Sequence, residues 1–258
     1  MLKSAIIHVL KGAVEKGGRA LIRDFGEIEN LQSSQQNIAG FVDKSKRRLT
    51  SILQQTLEQA RPDYKIIWPS SPLSDIFKGH DNCLIINPLD GEAFFSRALP
   101  YFAITIAVKE GDEITTSVIY DPLKDDLYMA GKGQGSYLNN RRLRVSNSRF
   151  IGQSHVATNI IKGNEQSVKS FLAMQEITAI VHHWGVPSLN IAHVAAGKLD
   201  AYFTTRAQIH DMAAALLILR EAGGIASQFD ARKVTMQNNI SLLVCPPSLQ
   251  QDFLNGLK

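Results

Sequence analysis

The sequence predicts a mixed α/β fold in two parts, and three observations predict it. The chain opens with two stretches whose apolar residues recur at helical spacing. A run of short β-prone segments separated by polar turns follows. After about residue 145, helical and strand-like segments alternate, which argues for a second sheet covered by helices. The halves are residues 1–145 and 146–258. With 258 residues, 44% apolar and 20% charged, the composition is that of an ordinary globular chain with a large core.

Each element follows from local pattern. Residues 4–25 set Ala5, Ile6, Val9, Leu10, Ala13, Val14, Leu21 and Ile22 on one helical face. A second helix is expected over 43–60, with Leu49, Ile52, Leu53, Leu57 and Ala60 as its stripe, Asp43 as N-cap and Pro62 as stop. The polar, Gly-ended stretch 30–40 between them reads as a loop or short hairpin. Strands are expected at 66–68, 83–86, 101–108, 114–120 and 126–131, with turns at 110–113 and 121–125, as in an antiparallel meander. Beyond residue 145, helices at 164–176, 188–196, 211–222 and 247–257 alternate with strands at 179–183, 200–204, 225–229 and 240–245. No internal repeat, low-complexity tract or long linker interrupts this order.

Bulk properties narrow the function classes. No apolar run approaches the roughly 20 residues that span a bilayer. The opening segment carries Lys3, Lys11, Glu15 and Lys16 and lacks the pattern of a signal peptide, so a cytoplasmic protein is expected. Cys83 and Cys245 sit in apolar runs and read as two buried thiols rather than a disulfide or metal pair. The net charge of +4 permits an anionic partner without requiring one. It is concentrated in Lys44, Lys46, Arg47 and Arg48, and in Arg141, Arg142 and Arg144. Neither cluster is interleaved with aromatics, so a solvated helix face and a basic loop are the simpler readings, ahead of nucleic-acid binding.

Three stretches carry candidate chemistry. Asn87-Pro88-Leu89-Asp90-Gly91-Glu92 follows a buried strand, where a helix start would set free N–H groups beside carboxylates. His210-Asp211-Met212-Ala213-Ala214 opens an apolar helix. Val194-Ala195-Ala196-Gly197-Lys198-Leu199-Asp200-Ala201-Tyr202 runs from a helix end through a turn into a strand. Singly, Asp90 could be a turn residue and Asp211 an N-cap.

Together and in this order, these stretches resemble the inositol monophosphatase family. Asn-Pro-Leu-Asp-Gly-Glu at 87–92 is similar to its D-P-[LI]-D-G-T motif. His-Asp-Met-Ala-Ala at 210–214 is similar to W-D-x-A-A, and Arg-Glu-Ala-Gly-Gly at 220–224 to the end of the helix that follows. Ile-Tyr-Asp-Pro at 119–122 and Gly-Lys-Gly-Gln-Gly-Ser at 131–136 also fit, so the resemblance spans nearly the whole chain. It implies a layered αβαβα sandwich and Mg²⁺-dependent hydrolysis of an inositol phosphate or similar small sugar phosphate. It further implies Asp90, Asp211, the Leu89 carbonyl and, weakly, Asn87 as metal ligands. Gly91 and Glu92 would supply phosphate-binding N–H groups, with Gly185, Thr204 and His210 on the substrate side. A homodimer is common in the family, and some bacterial relatives act through RNA-processing or transcription machinery.

The departures from the family pattern bear on activity. Asn87 stands where a metal-bridging Asp is usual, so an amide oxygen replaces a charge. Pro69 stands at a Glu ligand, Glu92 at the Thr that orients water, and Lys46 at an acidic residue of the second helix. Thr204 replaces a substrate-side Glu, and His210 a Trp. The resemblance therefore implies reduced Mg²⁺ affinity, or none bound, and weak or absent hydrolysis, because a fold can outlive its chemistry. Two alternatives stand beside this: a non-catalytic binding role in RNA processing or transcription, and an active site rebuilt around Glu92. Lys46 and Glu92 could also simply pair with each other.

Overall fold

The computed structural model describes residues 5–32, 38–72, 74–77 and 82–257. In chain order its elements are α1 (Ala5–Gln32), α2 (Ile38–Ala60), β1 (Lys65–Ile67), α3 (Ser74–Phe77), β2 (Asn82–Asp90), α4 (Glu92–Phe95), β3 (Ala103–Glu110), β4 (Glu113–Asp121), β5 (Asp126–Gly131), β6 (Gly135–Leu138), β7 (Arg141–Arg142), β8 (His155–Thr158), α5 (Glu165–Ile177), β9 (Ile180–His183), α6 (Pro187–Ala195), β10 (Ala201–Ala207), α7 (Ile209–Glu221), β11 (Ile225–Ser227), β12 (Ile240–Cys245) and α8 (Gln250–Leu257). The first sheet runs β1 to β7 in sequence order, parallel between β1 and β2 and antiparallel thereafter. The second runs β11-β12-β10-β8-β9 and mixes both senses.

Side-chain alternation builds five layers. On β2, Leu84 and Ile86 join the core beneath α1 and α2, while Cys83 and Ile85 join the core under α6 and α7. That central core continues to Tyr202 of β10 and to Leu242 and Val244 of β12. The opposite face of the second sheet, with Ala201, Phe203, Leu243 and Cys245, packs on Met174 of α5 and Phe253 of α8. The result is the expected αβαβα sandwich, with the middle helices α6 and α7 buried between two sheets. Cys83 and Cys245 are buried free thiols, as expected. Among the described residues, no helix is long and apolar enough to cross a membrane.

Several local expectations need correction. The first helix continues to Gln32, and the second starts at Ile38, so Asp43 lies exposed inside α2 and is not an N-cap. Phe41 and Val42 explain the early start, because both pack into the core shared with α1. Of the expected loop, residues 33–37 lie outside the described residues. Trp68 leaves the strand one residue early, ahead of Pro69, in a turn closed by Ser71 N–H to the Trp68 carbonyl (2.9 Å). The strand expected from 101 begins at Ala103. Strands β6 to β8 have no counterpart in the expectations. The short β8 pairs in parallel with both β9 and β10 and so lies inside the second sheet.

Candidate functional site

The site forms where β2 ends against the first turns of α6 and α7. In a regular strand Asn87 and Asp90, three residues apart, would face opposite sides of the sheet. Here the pairing passes from Asn87↔Thr105 to Asp90↔Ala103, three residues against two. That bulge, at a stretch containing Pro88, turns both polar side chains toward the middle helices. Leu89 points the other way, into the core under α1 and α2.

Asn87 Nδ2 donates to Asp211 Oδ1 at 2.8 Å, and Asn87 Oδ1 accepts from the Leu89 N–H at 3.2 Å. Asp90 Oδ2 accepts from the N–H of Ser188, in the first turn of α6, at 2.9 Å. Asp211 lies in the first turn of α7, where the helix dipole favours an anion. The position ahead of the helix belongs to Gln208, so Asp211 is no N-cap, and Asp90 is a strand-end residue and no turn residue. Burial first, and then Asp211, raises the Asp90 carboxyl far above the usual range, while the N–H groups of Ser188 and Gly91 pull it back. Burial likewise raises Asp211, against the lowering bond from Asn87. Two buried carboxylates this close resist ionising together.

Gly91 is held at φ +95°, and a Cβ there would stand 2.7 Å from the Tyr101 carbonyl, so only glycine joins β2 to α4. Glu92, the first residue of α4, binds Lys46 of α2 with Nζ to Oε2 at 2.5 Å. Pro69 lies exposed in the turn after β1. His210 is buried in the first turn of α7, next to Asp211. Burial lowers its pKa, the Trp68 carbonyl offsets this, and Nε2 has no hydrogen-bond partner. Thr204 is buried in β10 with its hydroxyl accepting from Arg206 N–H at 3.3 Å, and it makes no hydrogen bond to the aspartates. Gly185 is exposed just before α6, where a Cβ would meet Phe94 of α4 at 3.3 Å. The structure thus brings Asn87, Asp90 and Asp211 into one cluster, with Gly91, Glu92 and Lys46 beside it and Thr204 apart.

Sequence reasoning missed a supporting set. Ser188 is one; its signal is a polar residue right after Pro187 at a helix start. Tyr101 is another: it donates to Asn190 Oδ1 (2.8 Å), and Asn190 Nδ2 donates to the Trp184 carbonyl (2.6 Å), which ties the approach to α6. Tyr202, quoted in sequence only within the 194–202 stretch, has a buried phenol, and the charges of both aspartates add to burial in raising its pKa. No local pattern announces the long-range contact of Tyr101 with Asn190.

Mg²⁺, the metal the resemblance implies, requires near-octahedral oxygen coordination. The side-chain oxygens here are few, and several are engaged: Asn87 Oδ1 by Leu89, Asp211 Oδ1 by Asn87, and Asp90 Oδ2 by Ser188. Asn87 presents a donor NH₂ group to Asp211 where a bridging carboxylate would present oxygen. Among the described residues no group of three or more His, Cys, Asp or Glu could hold a metal ion. This donor set does not fit a carboxylate-rich metal cluster.

The chain matches the profile of the inositol monophosphatase family over residues 2–256. It is 37% identical to the inositol-1-monophosphatase of Rhizobium meliloti (strain 1021), over 87% of this chain and 85% of that one. It is 30% identical to the Nus factor SuhB of Escherichia coli (strain K12), over 87% and 85%. The crystal structure of the extragenic suppressor protein suhB from Bartonella henselae superposes with a TM-score of 0.88 at 29% identity, over 99% of both chains. With the motif order, the five-layer fold and the aspartate cluster in agreement, the chain belongs to the inositol monophosphatase family.

Proposed function

We propose that this protein derives from Mg²⁺-dependent phosphatases of inositol phosphates or similar small sugar phosphates, and that its own metal site is weakened until hydrolysis is slow or lost. The observation that carries this is the Asn87–Asp211 hydrogen bond at 2.8 Å, an amide nitrogen bound to the carboxylate it would share a cation with. Asp90, Asp211 and the Leu89 carbonyl remain as donors for at most a weakly held ion. Pro69 adds none. Glu92, held by Lys46, sets a negative charge at the start of α4, where Gly91 and Glu92 N–H groups would meet a phosphate. The same ion pair counts against a site rebuilt around Glu92.

Calorimetry tests the metal and phosphate release tests the chemistry. Parent protein is expected to bind Mg²⁺ at least tenfold more weakly than a variant carrying Lys46→Asp, Pro69→Glu, Asn87→Asp and Glu92→Thr. That variant is expected to release phosphate from inositol monophosphate well above the parent, and each single change to do little, since such groups act as a unit. Tight binding of two Mg²⁺ ions and robust turnover by the parent would sink the proposal. A folded quadruple variant that binds Mg²⁺ yet stays inactive moves the loss to Gly185, Thr204 and His210.

A second reading, a binding role in RNA processing or transcription without catalysis, is favoured by the Nus factor name of relatives such as that of E. coli. Association with transcription complexes, compared between parent and an Asp90→Asn variant, tests it. Equal association supports a role independent of the aspartates, and no association removes the reading. The homodimer common in the family is tested by light scattering of the purified protein.

A further inference from the structure

The two basic clusters, alike in sequence, differ in the fold. In α2, Lys46 is bound to Glu92 and Arg48 to Asp24 at 2.7 Å. Half of that cluster is internally neutralised. Arg141, Arg142, Arg144 and Arg149 are all exposed, and among the described residues none makes an ion pair or side-chain hydrogen bond. Arg144 and Arg149 line an open groove of about 690 Å³ with Ser146, Ala222, Gly223 and Ser248. Phe150, next in the chain, is 68% exposed, more than any other large apolar side chain of the described residues.

The groove's floor does not repel an anion as a bare helix end would. It lies past the C-terminus of α7, where unpaired carbonyls are normally concentrated. Here the Leu219 carbonyl accepts from Gly224 N–H, the Arg220 carbonyl from Gly223 N–H, and the Ala222 carbonyl from Val145 N–H. The acids at its edges are engaged: Asp200 accepts from Ser146 Oγ (2.6 Å) and His155 N–H (2.9 Å), and Glu221 from Gly133 and Gly135 N–H (2.9 Å each). The Ser248 hydroxyl donates to the Ser148 carbonyl (2.8 Å). Eleven steps along the helix lead from Asp211 to Ala222, about 16 Å along the axis. The groove is therefore distinct from the aspartate site.

We infer that this groove binds single-stranded nucleic acid, with Arg144 and Arg149 meeting phosphates and Phe150, next to Arg149, offering a face on which a base stacks. Two uncommitted guanidiniums set along an open groove suit successive phosphates of a chain, and an exposed aromatic beside them selects unpaired bases. The inference gives the RNA-directed reading a place on the surface but rests on the arginines, and it holds whether or not the aspartate site hydrolyses anything.

Fluorescence anisotropy with a labelled 15-nucleotide RNA, its duplex, and anionic phosphatidylserine vesicles tests it at 50 and 200 mM salt. Arg144→Gln with Arg149→Gln is expected to weaken single-strand binding at least tenfold and to flatten the salt slope by about 1.4, the share of two phosphate contacts. Phe150→Ala is expected to weaken it several-fold with the slope unchanged. Lys44→Gln with Arg47→Gln, on α2, is the matched control and is expected to change it less than twofold. Mg²⁺ binding measured on the same variants is expected to stay at the parent's level, which separates this outcome from the fate of the phosphatase reading. Duplex bound as tightly as single strand, vesicles bound in place of RNA, an equal effect from the α2 control, or no RNA binding at 50 mM salt would each overturn the inference.

Discussion

The two sides of the aspartate site differ in kind. The buried side holds Asp90, Gly91 and Asp211, fixed by a strand bulge and a helix start and matching the family motifs, beside the buried Asn87 and His210, which depart from them. The open side holds Lys46, Pro69 and Glu92, and every one of them departs from those motifs. The difference teaches caution about retained residues. Asp90 and Gly91 are built into the join between β2 and α4, so packing can preserve them after the chemistry has gone. Exposed positions carry no such constraint. Substitutions on the two sides separate these causes.

The largest contrast is expected between Gly91→Ala and Pro69→Ala. The first forces φ +95° on alanine and drives its Cβ within 2.7 Å of a backbone oxygen that cannot move aside, so a loss of ~3 kcal/mol or failure to fold is expected. The second removes an exposed ring and is expected to stay within about 0.5 kcal/mol. Chemical denaturation measures both, and comparable losses would erase the contrast.

Next comes a pH effect on the buried side. His193 of α6 lies beside Tyr101, and burial, then Lys198 and Lys124, push its pKa down to about 4. The unfolded chain titrates this histidine near 6.5, so between those values the unfolded state binds more protons. The histidine's contribution to stability is therefore fully present above about pH 6.5 and is lost as pH falls toward 4, by up to about 3 kcal/mol. The raised carboxyls of Asp90 and Asp211 act in the opposite sense over the same range, so the test is the difference between proteins: the urea midpoint of His193→Gln should gain on the parent's as pH falls from 6.5 to 4. Parallel curves would show that His193 is not the group responsible.

Much of this was legible in sequence, and the misses share a cause. Motif order brought Asn87, Asp90 and Asp211 together although 124 positions separate Asn87 from Asp211. Apolar spacing marked α1, α2 and the middle helices, because a buried helical stripe is a local pattern. The bulge that aims Asp90 was not visible, since register belongs to a pair of strands and not to one. Tyr101 escaped for a similar reason, since its bond to Asn190 joins residues 89 positions apart. So did β8, four residues whose strand character comes from lying between β9 and β10. The basic clusters looked equivalent because their difference lies in which acids the fold brings near, and Phe150 acquires meaning only once it is found exposed.

A smaller effect is expected from Asp90→Asn. The change keeps an oxygen for the Ser188 N–H while removing one of two buried carboxylates. Relief of that crowding should stabilise the metal-free protein by about 1 kcal/mol, read as a rise in Tm. The same change should leave no binding site for Mg²⁺. A fall in Tm would mean that Asp90 is held chiefly by its hydrogen bonds and not opposed by Asp211.

The smallest effect belongs to the open side. Lys46 and Glu92 meet at 2.5 Å, yet their side chains remain 40% and 43% exposed. Water and salt screen such a pair, and ordering two long side chains offsets part of the attraction. A double-mutant cycle of Lys46→Met and Glu92→Gln is expected to give a coupling below about 1 kcal/mol that shrinks further in 0.5 M salt. If so, the pair contributes little to the fold, and its weight lies in closing the start of α4 to an anion. Glu92→Gln alone should then strengthen binding of inorganic phosphate while leaving Tm nearly unchanged. A coupling of several kcal/mol would instead make this ion pair a structural tie between α2 and α4, and the open side would prove as constrained as the buried one.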